Sequence, residues 1–198
     1  MACAEAFQTI REDLFFWQAY DPSVKVDLSC CARGTKQGLV FIDPIPLARE
    51  ALDQLAAGRR PVAIVLTNGN HLRAARDFRD RFQIPICAHR NAASDLGEVD
   101  RTLEDGEAFA DEFTVVELPG ASSGEIALHN AGVIHVGDAL IHLPPMGFAI
   151  LPDKYCSDPM QLRRSLEKLL SFPFDTLTFA HGLPMMTQAR QRLSHLIS

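Results

Sequence analysis

The residues of this sequence whose types and positions could do chemistry are Asn68, Asn70, His71, Asp138 and His181. They stand at the ends of three apolar runs. Pro61 to Leu66 leads into Thr67-Asn68-Gly69-Asn70-His71, Val133 to Val136 into Gly137-Asp138, and Phe174 to Phe179 into Ala180-His181-Gly182. A carboxylate and two imidazoles brought to one place can hold a divalent cation or move a proton. Alone, an Asp after a strand is more often a loop cap, and a lone His there more often structural. Three such ends in one chain strengthen the signal, because loops beyond the carboxyl ends of strands converge on one crevice.

A second constellation competes for the same residues. Gly120-Ala121-Ser122-Ser123-Gly124 satisfies G-x-S-x-G, with Asp138 and His181 downstream in the order of a serine hydrolase. That motif needs a sharp turn from strand into helix. Here Glu125 to His129 leads through Asn130-Ala131-Gly132 into another strand, which reads as a hairpin and makes a Ser122, Asp138, His181 esterase the weaker alternative. The other histidines are plain: His89 follows a short strand, His129, His135 and His142 lie in or near the hairpin, and His195 is on a terminal helix. His135 alternates with Ile134 and Val136, the pattern of a satisfied position on a sheet face. Arg73, Arg76, Arg79 and Arg81 form a solvated helix face with Asp77 and Asp80, and Cys87 is a core residue.

The elements that must position these groups can be followed along the chain. Asp13 to Tyr20, Val24 to Leu28 and Leu39 to Ile42 read as an antiparallel meander with turns at Asp21-Pro22 and Gly34 to Gly38. Helical spacing takes over at Leu47, Ala48, Ala51, Leu52 and Leu55, and Gly58 closes that helix. Pro61 to Leu66 is a strand covered on both faces; a helix carrying Ala74, Ala75, Phe78 and Phe82 and a short strand at Ile84 to Ala88 follow. In the second half, Phe113 to Leu118 and the hairpin precede a helix capped at Ser157 or Asp158 and running to about Leu170. A strand at Phe174 to Phe179 and a helix from Pro184 to Leu196 end the chain. Strands and helices twice over imply an α/β fold with two sheets face to face and helices outside.

Composition excludes several classes. Lys+Arg 19 against Asp+Glu 25 gives a net charge of −6, which attracts neither nucleic acid nor an anionic membrane surface. No apolar run approaches the roughly 18 residues of a membrane span, and the first residues carry no secretory signal pattern. Five cysteines without a CxxC pair point to reduced thiols in the cytoplasm. The 198 residues are expected to form a single domain.

In order, these landmarks resemble the metallo-β-lactamase superfamily. Gly38 to Asp43 is similar to its strand ending in Asp, and Thr67 to Arg73 falls where the family carries T-H-x-H-x-D-H. Leu118-Pro119-Gly120-Ala121-Ser122-Ser123-Gly124-Glu125 is similar to its P-G-H-T-P-G-E loop, Gly137-Asp138 to its G-D segment and His181-Gly182 to its last ligand. The resemblance implies a four-layer αββα sandwich of two mixed sheets with helices on the outer faces. It also implies hydrolysis of an ester or thioester substrate.

The departures fall on the ligand positions, where Asn68, Asn70, Leu72, Arg73 and Ala121 replace the family's residues. Zinc takes imidazole, carboxylate or thiolate, and amides suit hard cations better. Two readings follow. In one, His71, Asp138 and His181 act as catalytic ligands of one divalent metal (zinc, iron or manganese), with Asp43, Asn68, Asn70, Arg73 and Ser122 lining the cleft. In the other, no metal binds, Arg73 pairs with Asp138, and the protein binds a small molecule or a partner. The ligand set favours the second as chemistry. Leu143 to Lys154 is a loop apolar enough to cover the cleft or to make a homodimer contact.

Overall fold

In the computed structural model, residues 3–97 and 99–198 are described; Met1 and Ala2, which open the segment read above as lacking a signal, lie outside them. The first sheet runs in chain order through β1 (Gln8–Arg11), β2 (Leu14–Asp21), β3 (Val26–Gly34), β4 (Leu39–Ile42), β5 (Pro61–Leu66), β6 (Ile86–His89) and β7 (Arg101–Leu103). Its first four strands are antiparallel and its last four are parallel. Helices α1 (Arg49–Gly58), α2 (Ala75–Phe82) and α3 (Ala93–Leu96) belong to the crossovers. The second sheet contains β8 (Ala108–Phe109), β9 (Phe113–Glu117), β10 (Ile126–Asn130) and β11 (Val133–Val136). The ribbon β12 (Leu140–Leu143) and β13 (Gly147–Ile150), helix α4 (Pro159–Glu167), strand β14 (Thr176–Phe179) and helix α5 (Ala189–Ile197) complete the chain. The second sheet has the order β14-β11-β10-β9-β8, with β14 parallel to β11.

Alternation along the strands builds the layers. On β4 and β5, Leu39, Phe41, Ile64 and Leu66 face the first helical layer, where Phe41 meets Phe78 edge-on at 4.9 Å. Val40, Ile42, Ala63 and Val65 face the other way, onto Phe113, Val115, Ile126 and Leu128 of the second sheet. Two buried faces explain why these strands read as continuous apolar runs. On the far side, Ile134, Val136, Leu177 and Phe179 pack with Leu162, Leu166, Ala189 and Leu193 of α4 and α5. The architecture is therefore the αββα sandwich. No helix among the described residues is long and apolar enough to cross a membrane.

Two expectations are corrected. The terminal helix starts at Ala189 rather than Pro184, because Met185 exchanges backbone hydrogen bonds with Leu177 at 2.8 and 2.9 Å and extends the sheet instead. The segment 143–154 is not a single loop: Leu143 ends β12, and after a turn Gly147–Ile150 returns as β13, paired to β12 from Leu140 opposite Ile150 to Leu143 opposite Gly147. The expected capping at Ser157 or Asp158 resolves to Asp158, whose carboxylate accepts the Gln161 amide at 2.9 Å.

Candidate metal centre

Thr67 to Arg73 leaves the end of β5, Asp138 follows β11, and His181 follows β14. The strand ends meet between the sheets. His71 Nε2 lies 3.1 Å and His181 Nε2 lies 3.2 Å from one oxygen, Oδ1 of Asp138. One donor atom from each of these residues falls within 4.8 Å of the others. His71 stands one position away from the nearest ligand position of the family motif, yet its ring reaches the centre.

What aims each ring is on the opposite side of it. Asp43, in the left-handed region at φ 51°, accepts Thr67 N–H at 2.8 Å and the Thr67 hydroxyl at 2.6 Å. His71 Nδ1 sits 3.0 Å from both Asp43 Oδ2 and Thr67 Oγ1. His181 Nδ1 faces the carbonyl of Asp27 at 3.3 Å. Both imidazoles thus spend Nδ1 on the protein and turn Nε2 inward, the arrangement that fixes the tautomer of metal-binding histidines. The 3.1 and 3.2 Å separations compare with about 3.3 Å between neighbouring ligand atoms of a tetrahedral zinc site. This donor set fits one divalent cation. It does not fit a second, because Leu72 and Ala121 offer no ligand atom and Arg73 is a cation.

The electrostatics follow from the carboxylates. Burial and the Arg73 charge oppose a proton on His71, but Asp43 and Asp138 outweigh them and push its pKa up to about 9. Burial also works against the charges on Asp43 and Asp138, yet the facing histidines hold Asp43 below the usual carboxylate range and Asp138 well below it. Glu125 goes the other way: burial, then the nearby Asp138 charge, push it up to about 8. Asn68 separates the two carboxyls, its amide donating to Glu125 Oε2 at 2.8 Å and to Asp138 Oδ2 at 3.1 Å. Its own oxygen accepts Asn70 N–H at 2.8 Å, so Asn68 is a buried hub and not a ligand. Glu125 and Thr67 are functional neighbours that sequence reasoning missed as site residues; their signal was their place in the quoted loop motifs.

Two further expectations change. Arg73 does not pair with Asp138. Its guanidinium donates to the carbonyls of Ser29 at 2.9 Å, Asp43 at 3.3 Å and Ala180 at 3.3 Å, while Asp138 is occupied by His71, His181, Asn68 and Ser122. The serine-hydrolase order fails geometrically: Ser122 Oγ donates to Asp138 Oδ2 at 3.2 Å, placing the carboxylate between serine and histidine. A triad needs the imidazole in the middle to take the serine proton. Asn70 is at the mouth, exposed, donating to Ser122 Oγ at 3.2 Å. The structure therefore gathers His71, Asp138, His181, Asp43, Asn68, Asn70, Arg73 and Ser122 around one centre. His135 lies apart, bonded to Thr178 at 2.6 Å through Nδ1, with its buried Nε2 unpartnered.

Comparisons with known proteins agree with this reading of the fold. Residues 8–198 match the family model described as the metallo-beta-lactamase superfamily. The hydroxyacylglutathione hydrolase of Rhizobium meliloti (strain 1021) is 29% identical over 177 residues, covering 80% of this chain and 66% of the relative. The enzyme of the same name from Pectobacterium carotovorum subsp. carotovorum (strain PC1) is 30% identical over 145 residues, 70% of this chain and 54% of that one. The chain thus spans between about half and two thirds of the length of these curated relatives. Among solved structures, the DIM-1 metallo-beta-lactamase exposed to ceftazidime superposes with a TM-score of 0.79 at 12% identity, covering 99% of this chain and 97% of that one. TTHA1623 in a di-iron-bound form gives a TM-score of 0.65 at 25% identity, over 89% and 98%. The chain belongs to the metallo-β-lactamase superfamily.

Proposed function

We propose that this chain is a hydrolase of ester or thioester substrates that uses a single divalent cation (zinc, iron or manganese) held by His71, Asp138 and His181. The observation that carries the reading is the convergence of two Nε2 atoms on one carboxylate oxygen, each ring held from behind through Nδ1. A cation there would supply Lewis acidity and a nucleophilic water at neutral pH. The chain's own residues do the rest. Asp43 and Thr67 keep His71 from turning away, and Asn68 holds Asp138 apart from Glu125. Asn70 spends one amide hydrogen on Ser122 and has a second to offer a carbonyl oxygen at the exposed mouth. That the relatives are named hydroxyacylglutathione hydrolases favours an acyl thioester as the small-molecule substrate. The free thiols of all five cysteines fit the cytoplasmic location we propose.

A second reading, a non-catalytic binding member of the same fold, draws on Asn68, Leu72, Arg73 and Ala121 at the family's ligand positions. Metal content separates the two. Protein purified without chelator or affinity-tag histidines should hold about one cation per chain, lost in His181→Ala, and should hydrolyse S-lactoylglutathione or a simple aryl thioester in a chelator-sensitive way. Trace metal that survives His181→Ala would overturn the hydrolase and leave the binding protein.

A further inference from the structure

His181 is the ligand with the least local support. It follows the last residue of β14 by two positions, is partly exposed, and precedes Gly182 at φ +101°. A Cβ at Gly182 would overlap the His142 carbonyl, so the chain here runs directly against β12. The segment is held from two sides, by backbone atoms of β12 and β3 and by the Ser29 hydroxyl. On the β12 side, His142 N–H donates to the His181 carbonyl at 3.0 Å. From β3, in the other sheet, Ser29 N–H donates to the Ala180 carbonyl at 2.8 Å. The Ser29 hydroxyl donates to the Gly182 carbonyl at 2.9 Å and lies 3.1 Å from Gly182 N. Ser29 is fully buried and touches the chain on both sides of His181.

Arg73 closes the arrangement. The guanidinium reaches the Ser29, Asp43 and Ala180 carbonyls, one from β3, one just beyond β4 and one just beyond β14. Those carbonyls belong to the residue that clamps His181, the residue that aims His71, and the residue immediately before His181. Arg73 itself is at φ 36°, a left-handed conformation unusual for a residue with a side chain. A planar fork with five donors can span three acceptors in this way; a lysine ammonium, a point charge, cannot hold the same plane.

We propose that Arg73 and Ser29 are positioning residues that tie the first sheet to the Ala180–Gly182 segment and so present His181 to the centre. The inference rests on the hydrolase reading for its purpose, while the tie itself can be tested without it. The experiment uses the full chain with cobalt(II) as the probe, together with nitrogen-15 NMR of the histidine rings in metal-free protein. In Arg73→Ala, cobalt affinity should fall between tenfold and a hundredfold, the range seen when partners behind metal ligands are removed. The His181 ring signals should broaden or shift to a tautomer mixture while those of His129 stay in place. Arg73→Lys should not restore them, and millimolar methylguanidinium added to Arg73→Ala should. If Arg73→Ala does not fold, Ser29→Ala carries the test, with a several-fold loss of cobalt affinity and the same change at His181. Unchanged affinity together with an unchanged His181 tautomer would overturn the proposal. If the parent protein binds no cobalt, the hydrolase reading fails, and the ring signals alone decide whether Arg73 and Ser29 position His181.

Discussion

Two buried histidines lie near the same carboxylate and are driven to opposite charge states. His71 is between Asp43 and Asp138, and its pKa is pushed up to about 9. His135 is on β11 between the sheets, where burial, followed by the Arg33 charge, pushes its pKa down to about 3, although Asp43 acts in the opposite sense. Its neighbours are Thr178, Phe113 and the two cysteines of β3. Burial, with the Arg33 charge beside it, therefore keeps His135 neutral. At His71, direct contact with two buried carboxylates where three strand ends meet reverses that. The contrast separates a position built to interact with charge from one built into a sheet.

The largest effect should come from removing the carboxylate behind His71. Asp43 is buried and accepts from Thr67 at two atoms and from His71, so Asp43→Ala strips the Thr67 N–H and hydroxyl and the His71 ring of their carboxylate in the interior, leaving His71 only the Thr67 hydroxyl behind it. Breaking a buried charge pair of this kind costs about 3–5 kcal/mol. Urea unfolding of metal-free Asp43→Ala against the parent measures it. A loss under about 1 kcal/mol would mean that His71 is not held as a cation, and the contrast with His135 would collapse.

The second effect is on the pH dependence of stability. His135 stays neutral in the folded protein until about pH 3, whereas the unfolded chain takes up its proton near 6.5. Unfolding therefore binds an extra proton between those values. Stability is present above pH 6.5 and falls as the pH drops, by as much as about 1.4 kcal/mol per unit. His71 has the opposite sign: its folded pKa is raised to about 9, so its contribution is complete below 6.5 and is lost as the pH rises through 9. Metal-free His135→Leu should flatten the acid limb of the stability profile and leave the alkaline limb alone. An acid limb unchanged in His135→Leu would show that other groups, the carboxylates above all, control it.

Much of this was legible in the sequence because it depends on local pattern. Pro61 to Leu66 announces a strand covered on both faces, and Asp138 and His181 fall at strand ends where ligands gather. The αββα arrangement follows from that order of elements. Arg73 was read both as part of a solvated helix face and as a cation in the cleft; it precedes α2 and turns inward, so the first reading is corrected, and the second was given the wrong partner. Opposite charges suggested Asp138, while the structure satisfies the guanidinium with three backbone carbonyls. Carbonyls leave no mark in a sequence. Asn68 was read as a poor ligand, and its role as a hub between Glu125 and Asp138 depends on two residues far away in the chain. The β13 strand was hidden for a different reason, since Pro144-Pro145 and Gly147 gave Leu143 to Lys154 the composition of a loop.

The smallest effect concerns Ser122, which touches the same carboxylate as the two histidines from the solvent side. Its hydroxyl donates to Asp138 Oδ2 and accepts from Asn70, and it is only partly buried. Ser122→Ala removes one hydrogen bond to a carboxylate that keeps three other partners, so the loss of stability should be below about 1 kcal/mol. Because no imidazole takes its proton, Ser122 should not react with a fluorophosphonate probe, and mass spectrometry of the treated protein should find no adduct. Labelling at Ser122, abolished by His181→Ala, would require the cleft to rearrange until His181 stands between serine and Asp138. In that case the carboxylate that now joins His71 to His181 would be serving a triad, and the division between the two buried histidines would no longer mark the functional centre.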